Sequence, residues 1–374
     1  MNRLIRYLLF IIFLIVSFYY AWSEGDRRLS QSEYTKLTAS QSPVLFRSIG
    51  YDHGAGNIIA VQAFMHILDY SSEDRFFEKI NSYLIEAKKK GLLNQNTFVV
   101  FPEHIGTALV LLGEKNEVYA ANTVSSAFSK IARGDLIGYI KSSFLNPNKS
   151  SGEVIFKMKA EGMKKVYIDT FRKLSSSYGV TILAGSILLP EPEVNENQND
   201  ILLKNGNIVN VNFLFLPDGK INSKFGVKHN LAATEKQIAV SRNPENAFLI
   251  HNNIGIVMSN DSLYNSIYGE KLKDKDVILV PSAIFEKDEI DWNSADIYGS
   301  KEAPDKNLTQ SELWRKFNIF EKTRQSLSNR IALQVVLLGK FYELNLDGET
   351  AAVYRYMATE GLDNKSPAIL NIWF

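Results

Sequence analysis

The 374-residue chain contains no cysteine. This absence excludes disulfide bonds, thiolate metal sites and every covalent mechanism that depends on a cysteine thiol. Histidine is also scarce, and the five histidines have no HExxH or comparable ligand spacing. We therefore expect neither a metal site nor another cofactor. The histidines are His53, His66, His104, His229 and His251.

An excess of one charge sign is missing as well. The chain has 42 Lys+Arg against 41 Asp+Glu, without a long block of either sign. Proteins that bind nucleic acid carry a basic patch or stripe, so no nucleic-acid partner is predicted. The 45% of hydrophobic residues is enough to bury a large core, in one large domain or in two ordinary ones.

One long hydrophobic run lies near the N-terminus. Residues 7–22, YLLFIIFLIVSFYYAW, are apolar apart from Ser17. Leu4 and Ile5 extend the run to nearly the ~20 residues that a membrane-spanning helix needs. The sequence therefore predicts one transmembrane helix that contacts the membrane through residues 4–22.

The residues on either side of this run indicate its orientation in the membrane and whether it is cleaved. Arg3 and Arg6 precede it, whereas acidic residues partly offset the two arginines that follow, which favours an extracytoplasmic body. A cleaved signal peptide is the alternative. The exit sequence YYAWSEG is bulky and lacks an A-x-A site, so we favour a membrane-anchored protein over a secreted one.

The body shows the pattern of an α/β domain, in which short apolar runs alternate with helical periodicity. Ser71 or Ser72 can cap a helix that Gly91 ends. Further helices are predicted over residues 159–177 and 310–328, and PDGK at 217–220 predicts a turn. The predicted strands lie within residues 57–62, 97–103, 180–189, 210–217, 247–260, 276–283, 331–338 and 350–356.

These patterns divide the chain into four segments. We expect an anchor or signal segment over residues 1–23 and a linker with first contacts over 24–54. The domain follows over 55–355, and a C-terminal tail over 356–374. Within the domain, residues 107–156 have weaker periodicity and include the loop-like LNPNKSSGE, so they are interpreted as an insertion.

Chemistry-bearing motifs sit at the ends of predicted strands. They occur in chain order as FVVFPEHIGT, VTILAGSILL, NFLFLPDG, PDGKINSKFGVKHNL, and NIGIVMSNDSLY followed by DVILVPSA. Over roughly residues 56–347 this order resembles the carbon-nitrogen hydrolase, or nitrilase, superfamily. The resemblance implies an α-β-β-α sandwich that forms a homodimer. Its ligand would be a small amide, nitrile or carboxylate.

The resemblance also assigns roles to individual residues. Glu103 matches the general base, Lys228 matches the lysine that stabilises the oxyanion, and Glu235 matches an additional glutamate near the site. Ser259 stands where the family has its nucleophilic cysteine. Taken singly, a strand end at Pro102 and Glu103, a surface lysine at Lys228 and a turn serine at Ser259 explain these residues better than a catalytic role does; only their joint order favours the resemblance.

Serine changes what such a site can do. A cysteine thiol has a pKa of about 8.5 and is readily deprotonated beside a lysine. A serine hydroxyl is far harder to ionise, and Glu103 is normally too weak a base for it. We therefore expect hydrolysis to be lost or attenuated, leaving a binding protein. The alternative is an active amidase-like hydrolase or N-acyltransferase that uses Ser259, with neutral Lys228 as a possible base.

Overall fold

The computed structural model of the chain describes residues 3–27, 29–38, 42–243, 245, 247–264, 266, 272, 274–286, 297, 312, 314, 331–355, 357–358, 362 and 365–374. The α-helices in this part of the chain are α1 (Arg3–Glu24), α2 (Gln31–Thr38), α3 (Glu73–Lys89), α4 (Asn116–Tyr119), α5 (Val124–Gly134), α6 (Leu136–Leu145) and α7 (Ser151–Tyr178). The strands of the first half are β1 (Leu45–Ile49), β2 (Asn57–Phe64), β3 (Thr97–Val100), β4 (Thr181–Leu183), β5 (Ile187–Asn195), β6 (Asp200–Asn212), β7 (Leu214–Phe215) and β8 (Gly226–Val227). Those of the second half are β9 (Phe248–His251), β10 (Ile254–Val257), β11 (Val277–Ser282), β12 (Ile331–Phe341), β13 (Leu344–Leu346), β14 (Ala351–Tyr354), β15 (Met357–Ala358) and β16 (Ala368–Trp373).

Capping residues determine where the two long helices of the body begin and where α3 ends. Ser72 caps α3 by accepting the Arg75 N–H, and Gly91 follows the helix at φ +69°, as predicted. The helix predicted over residues 159–177 begins earlier, at Ser151, because Ser150 and Glu153 form a reciprocal capping box. The helix predicted over residues 310–328 lies outside the described residues, apart from positions 312 and 314.

In the described part of the chain, the larger sheet has 13 strands, with the central order β7-β4-β3-β2-β12-β11-β10-β9. Strands β2, β3 and β4 run parallel, and so do β10, β11 and β12. The long strand β12 joins these two groups, because its second half pairs with β2 in parallel. A separate three-stranded sheet follows the order β5-β6-β8. The predicted mixed α/β class is confirmed.

The two strand groups pack face to face through one hydrophobic core. Alternate residues of β2 and β3 point into it, among them Ile58, Ala60 and Phe98, and they meet Ile256 and Leu333 from β10 and β12. The intervening residues of β2 and β3 point the other way and pack against α3 and α7. This alternation explains the continuous apolar runs, because strands buried on both faces carry no polar face.

Three segments differ from the sequence-based boundaries. Strand β16, in the predicted tail, lies between β1 and β2, where Leu370 pairs with Arg47 and Ala60. Strand β1 itself comes from the predicted linker. The single apolar run over residues 180–189 is two strands separated by a bend at Gly185, which has φ +65°. Strands this short carry little periodicity, so long-range pairing decides them.

The predicted insertion contains α4, α5 and α6 and leads directly into α7. The N-terminal helix α1 is long and apolar enough to cross a membrane, and its most apolar window is not buried against the body. By length and composition it fits a membrane anchor or a signal sequence.

Candidate active site

Glu103 lies on the turn after β3, and the bend between β4 and β5 holds this turn in place. A Cβ atom added at Gly185 would lie 2.0 Å from the Pro102 carbonyl oxygen, so only glycine permits this backbone approach. The neighbouring Ser186 Oγ accepts the His104 N–H at 2.8 Å. The motifs VTILAGSILL and FVVFPEHIGT therefore meet here, and Glu103 is completely buried between them.

Three of the predicted site residues form one buried network. The Lys228 Nζ atom lies 2.7 Å from Glu103 Oε1 and 2.5 Å from Glu235 Oε2. Asn210, on β6, donates from Nδ2 to Glu103 Oε1 at 2.9 Å and to Glu235 Oε1 at 2.7 Å. The Ala283 N–H donates to Glu103 Oε2 at 3.0 Å. Each carboxylate is thus held by charge and by hydrogen bonds, as burial of an ion requires.

The network keeps Lys228 charged. Burial alone would lower the pKa of Lys228, but the Glu103 and Glu235 carboxylates outweigh it and raise that pKa above its usual range. Burial likewise opposes the ionisation of Glu235, yet Lys228 and then His104 hold its pKa below the usual range. An ammonium in this position can stabilise an oxyanion. It cannot act as the neutral base of the alternative mechanism.

His104 belongs to the site, although the sequence placed it among scattered histidines. Its Nε2 lies 3.2 Å from Glu235 Oε1, and its Nδ1 lies 2.9 Å from Thr107 Oγ1. Burial would lower the pKa of His104, but the Glu103 and Glu235 carboxylates raise it overall. The sequence signal that could have identified His104 was its position next to Glu103. For Asn210, the sequence signal was an amide between the apolar residues Val209 and Val211 of β6.

Ser259 occupies a tight turn immediately after β10. Its φ of +40° is in the left-handed region, which non-glycine residues rarely adopt and which recurs at functional sites. The side chain is completely buried, and Ser259 Oγ has no hydrogen-bond partner among the described residues. The turn therefore holds a buried hydroxyl on a left-handed backbone, and no described base contacts that hydroxyl.

Asp261 connects this turn to the lysine segment. Its Oδ2 accepts the His229 N–H at 2.8 Å, and its Oδ1 accepts the Asn230 N–H at 2.6 Å. Because these two residues directly follow Lys228, the carboxylate fixes Lys228 relative to Ser259. Burial raises the pKa of Asp261 to about 6, although the two N–H donors oppose the shift.

The raised pKa of Asp261 predicts a pH-dependent stability. The folded value of about 6 exceeds the unfolded value of about 3.9, so the folded state takes up the proton first and gains stability as pH falls. Between pH 7 and pH 5 this group should add on the order of 1 kcal/mol to the free energy of unfolding. Asp261→Asn should lack that increment. Urea unfolding of both proteins at the two pH values measures it, and equal increments would contradict the assignment.

The cluster of Glu103, His104 and Glu235 also has the atom types of a metal site, with ligand atoms within 4.8 Å of one another. The Lys228 ammonium, however, already contacts both carboxylates. It neutralises the charge that a metal ion would otherwise balance. The donor set therefore fits an internal ion network better than a metal centre.

A cavity of about 140 Å³ lies beside the network. Its walls are mostly aliphatic and aromatic, and include Phe128, Phe285 and Leu337. His104, Glu235 and Tyr342 are the ionisable residues that line it in the described part of the chain, whereas Ser259 does not line it. A ligand in this cavity would meet the network from the side of Glu235.

Comparison with known proteins identifies the fold. No protein-family model and no curated protein matches the chain. Among solved structures, the NitN amidase of Nesterenkonia sp. AN1 matches with 13% identity and a TM-score of 0.51, covering 85% of this chain and 92% of the amidase. A cysteine-to-serine variant of that nitrilase-superfamily amidase matches with 12% identity and a TM-score of 0.51, covering 87% of this chain and 93% of the other. A further variant, covalently modified by fluoroacetamide at its active-site cysteine, matches with 13% identity and a TM-score of 0.52, covering 86% of this chain and 92% of the other. This likeness shows that the chain has the nitrilase-superfamily fold, as the motifs predicted.

Proposed function

We propose that the chain is a membrane-tethered, carbon-nitrogen hydrolase-like protein that binds a small amide, nitrile or carboxylate and hydrolyses it weakly or not at all. The observation that carries this proposal is the buried contact between Glu103 and Lys228, at the strand ends of a nitrilase-type fold. The amidase with this fold has an active-site cysteine. In this chain Ser259 stands in the corresponding motif.

The network supports the binding of a polar group. A lysine ammonium has three donors, and Glu103 and Glu235 engage Lys228 in two contacts. A remaining donor is suited to a carbonyl or carboxylate oxygen. The apolar cavity walls suit a hydrocarbon group on the same ligand, since ligand sites combine apolar walls with a few placed polar groups.

The same contacts support weak turnover. Glu103 already accepts from Lys228, Asn210 and Ala283. Abstraction of the Ser259 proton would require Glu103 to exchange some of these contacts for a hydroxyl of high pKa. Lys228 is charged and therefore does not act as the base. The nucleophile and its activation are both weaker than in a cysteine enzyme.

A slow serine hydrolase is the second candidate, and the left-handed backbone of Ser259 favours it. In this reaction Glu103 takes the hydroxyl proton while Oγ bonds to the carbonyl carbon, and Lys228 stabilises the oxyanion. The C–N bond then breaks, and Glu103 returns the proton to the leaving amine. Water releases the acyl group from serine and regenerates the hydroxyl; an incoming amine would instead accept the acyl group.

Wild type and Ser259→Ala distinguish the two candidates. We expect both full-length proteins, in detergent, to give the same low product yield with a panel of amides, esters and nitriles. Thermal-shift titration with acetamide and acetate should detect binding in both. Wild-type turnover that Ser259→Ala abolishes would establish the serine enzyme. Absence of binding to every compound in both proteins would overturn the ligand assignment.

The tether is proposed from α1, whose apolar surface is not covered by the body. Its flanking charges favour an extracytoplasmic body. A homodimer, which the resemblance implies, is part of the same proposal. Size-exclusion chromatography with light scattering in detergent measures the oligomeric state directly.

A further inference from the structure

Helix α6 carries an exposed apolar surface that the proposed site does not use. Ile137 is 69% exposed and Phe144 is 83% exposed, although both are large hydrophobic residues. The opposite side of the helix is anchored, since the buried Ser142 Oγ donates to the Val154 carbonyl oxygen at 3.0 Å. An apolar patch of this kind marks an interaction surface. We call it the α6 face; it consists of Leu136, Ile137, Ile140, Phe144 and Leu145.

The α6 face begins where α1 ends. Tyr19 Oη donates to the Arg133 carbonyl oxygen at 3.0 Å and accepts the Leu136 N–H at 2.8 Å, at the first residue of α6. Lys115 Nζ donates to the Trp22 carbonyl oxygen at 2.6 Å, near the end of α1. The insertion is therefore joined to the exit of the apolar helix by side-chain contacts.

Arg27 strengthens this junction just after α1. It donates from Nη1 to the Gly113 carbonyl oxygen and from Nη2 to the Gly134 carbonyl oxygen, both at 3.1 Å. Arg27 Nη1 also lies 3.8 Å from the buried Glu114 carboxylate. These contacts fix where the insertion sits relative to the end of α1.

The length of α1 sets the depth of this junction. Its 22 residues give about 33 Å of helix, close to the ~30 Å hydrocarbon core of a bilayer. Tyr19 and Trp22 then lie at the membrane-water interface, where such aromatic residues are favoured. Because α6 starts against Tyr19, it starts at the same depth.

We propose that the α6 face lies in the interfacial layer of the membrane that α1 crosses, with lipid acyl chains as its partner. This inference rests on the tether in the proposed function. A second copy of the chain would also cover an apolar face, but lipid explains why the face begins at the end of α1. Interfacial helices bury such a face about 5–10 Å into the headgroup and acyl boundary.

Site-specific labelling can test this depth, because the chain has no cysteine. Full-length Phe144→Cys is labelled with a polarity-sensitive fluorophore and reconstituted in phosphatidylcholine vesicles. Tyr51→Cys is the matched control, since Tyr51 is 81% exposed against 83% for Phe144. Tyr51 precedes β2 at the amino ends of the parallel strands, whereas α6 packs near the start of α7, on the carboxyl side. Phe13→Cys, near the middle of α1, reports insertion of the anchor.

Lipids with a spin label near the headgroup should quench at least about half of the emission of the fluorophore at position 144, as a shallow interfacial depth requires. Lipids with a spin label at the end of the acyl chain should quench the fluorophore at position 13 more strongly than headgroup-labelled lipids do. The fluorophore at position 51 should be quenched by neither lipid. Quenching of the fluorophore at position 13 without quenching of the one at position 144 would overturn the α6 proposal but would support the proposed tether. If the fluorophore at position 13 is not quenched, both the proposed tether and this inference are overturned. The fluorophore at position 144 could instead become shielded from water in detergent as the protein concentration rises, without being quenched by lipid. That result would assign the α6 face to a second copy of the chain and also overturn the proposal.

Discussion

Replacement of Ser259 by cysteine should increase amide hydrolysis by at least about 100-fold over wild type, a fall of about 2.7 kcal/mol in the activation barrier. The backbone at this position already has the left-handed φ of +40°. Lys228 already supplies a positive charge, and Asp261 joins the residues after Lys228 to this turn. Only the ionisation and nucleophilicity of the attacking atom would change.

The gain has a direct electrostatic cause. A thiol with a pKa of about 8.5 loses its proton far more readily than a serine hydroxyl, and a nearby ammonium lowers the thiol pKa further. Glu103 is the carboxylate of the network that would accept the proton of such a thiol and return it to the leaving amine. Serine, in contrast, would have to attack while it is still protonated.

Ser262→Cys is the matched control, because Ser262 is a buried serine in the same turn, and its Oγ donates to the Ser259 carbonyl oxygen at 2.7 Å. The same chemical change at that position should not raise activity. Adding Glu103→Gln to Ser259→Cys should abolish the gain. Product release and mass spectrometry of the trapped acyl-enzyme measure the effect. A Ser259→Cys protein that folds normally but gains no activity would show that the scaffold no longer assembles a working site.

Sequence motifs predicted the fold class, and their resemblance to the nitrilase superfamily predicted three members of the network. Glu103 comes three residues after β3 of the larger sheet, whereas Lys228 directly follows β8 of the three-stranded antiparallel sheet. Their 2.7 Å contact therefore links the ends of strands from two different sheets. Glu235 is less determined by pattern, because a loop separates it from Lys228.

Other features depend on contacts that a single sequence does not specify. Asn210 and His104 are ordinary residue types, and only their distances to the carboxylates show their part in the site. Strand β16 was assigned to a tail because its short apolar run acquires its place only by pairing with β2. That Ser259 Oγ has no hydrogen-bond partner among the described residues was equally unpredictable, since hydrogen bonding of a buried hydroxyl depends on all its neighbours.

Lys228→Met should lower the free energy of unfolding by about 3–5 kcal/mol, the cost of removing one partner from a buried ion pair. Methionine fills a similar volume, so most of the loss comes from the Glu103 and Glu235 carboxylates, which remain buried without their cation. Urea unfolding of the full-length protein in detergent at pH 7 measures the loss. Lys220→Met is the control, since Lys220 is an exposed partner of Asp218 at 2.8 Å and should contribute little.

The pH dependence separates loss of charge from loss of packing. In wild type the pKa of Glu235 is held below its usual range. Its contribution is therefore present above the unfolded pKa of about 4.3 and is lost as pH falls towards the lower folded pKa. In Lys228→Met the uncompensated carboxylates take up protons in the folded state as pH falls. The deficit should therefore shrink between pH 7 and pH 5, and it should shrink at pH 7 when Glu103→Gln and Glu235→Gln are added. A deficit that stays constant with pH and with these additions would mean that Lys228 stabilises the protein by packing and not by neutralising the carboxylates.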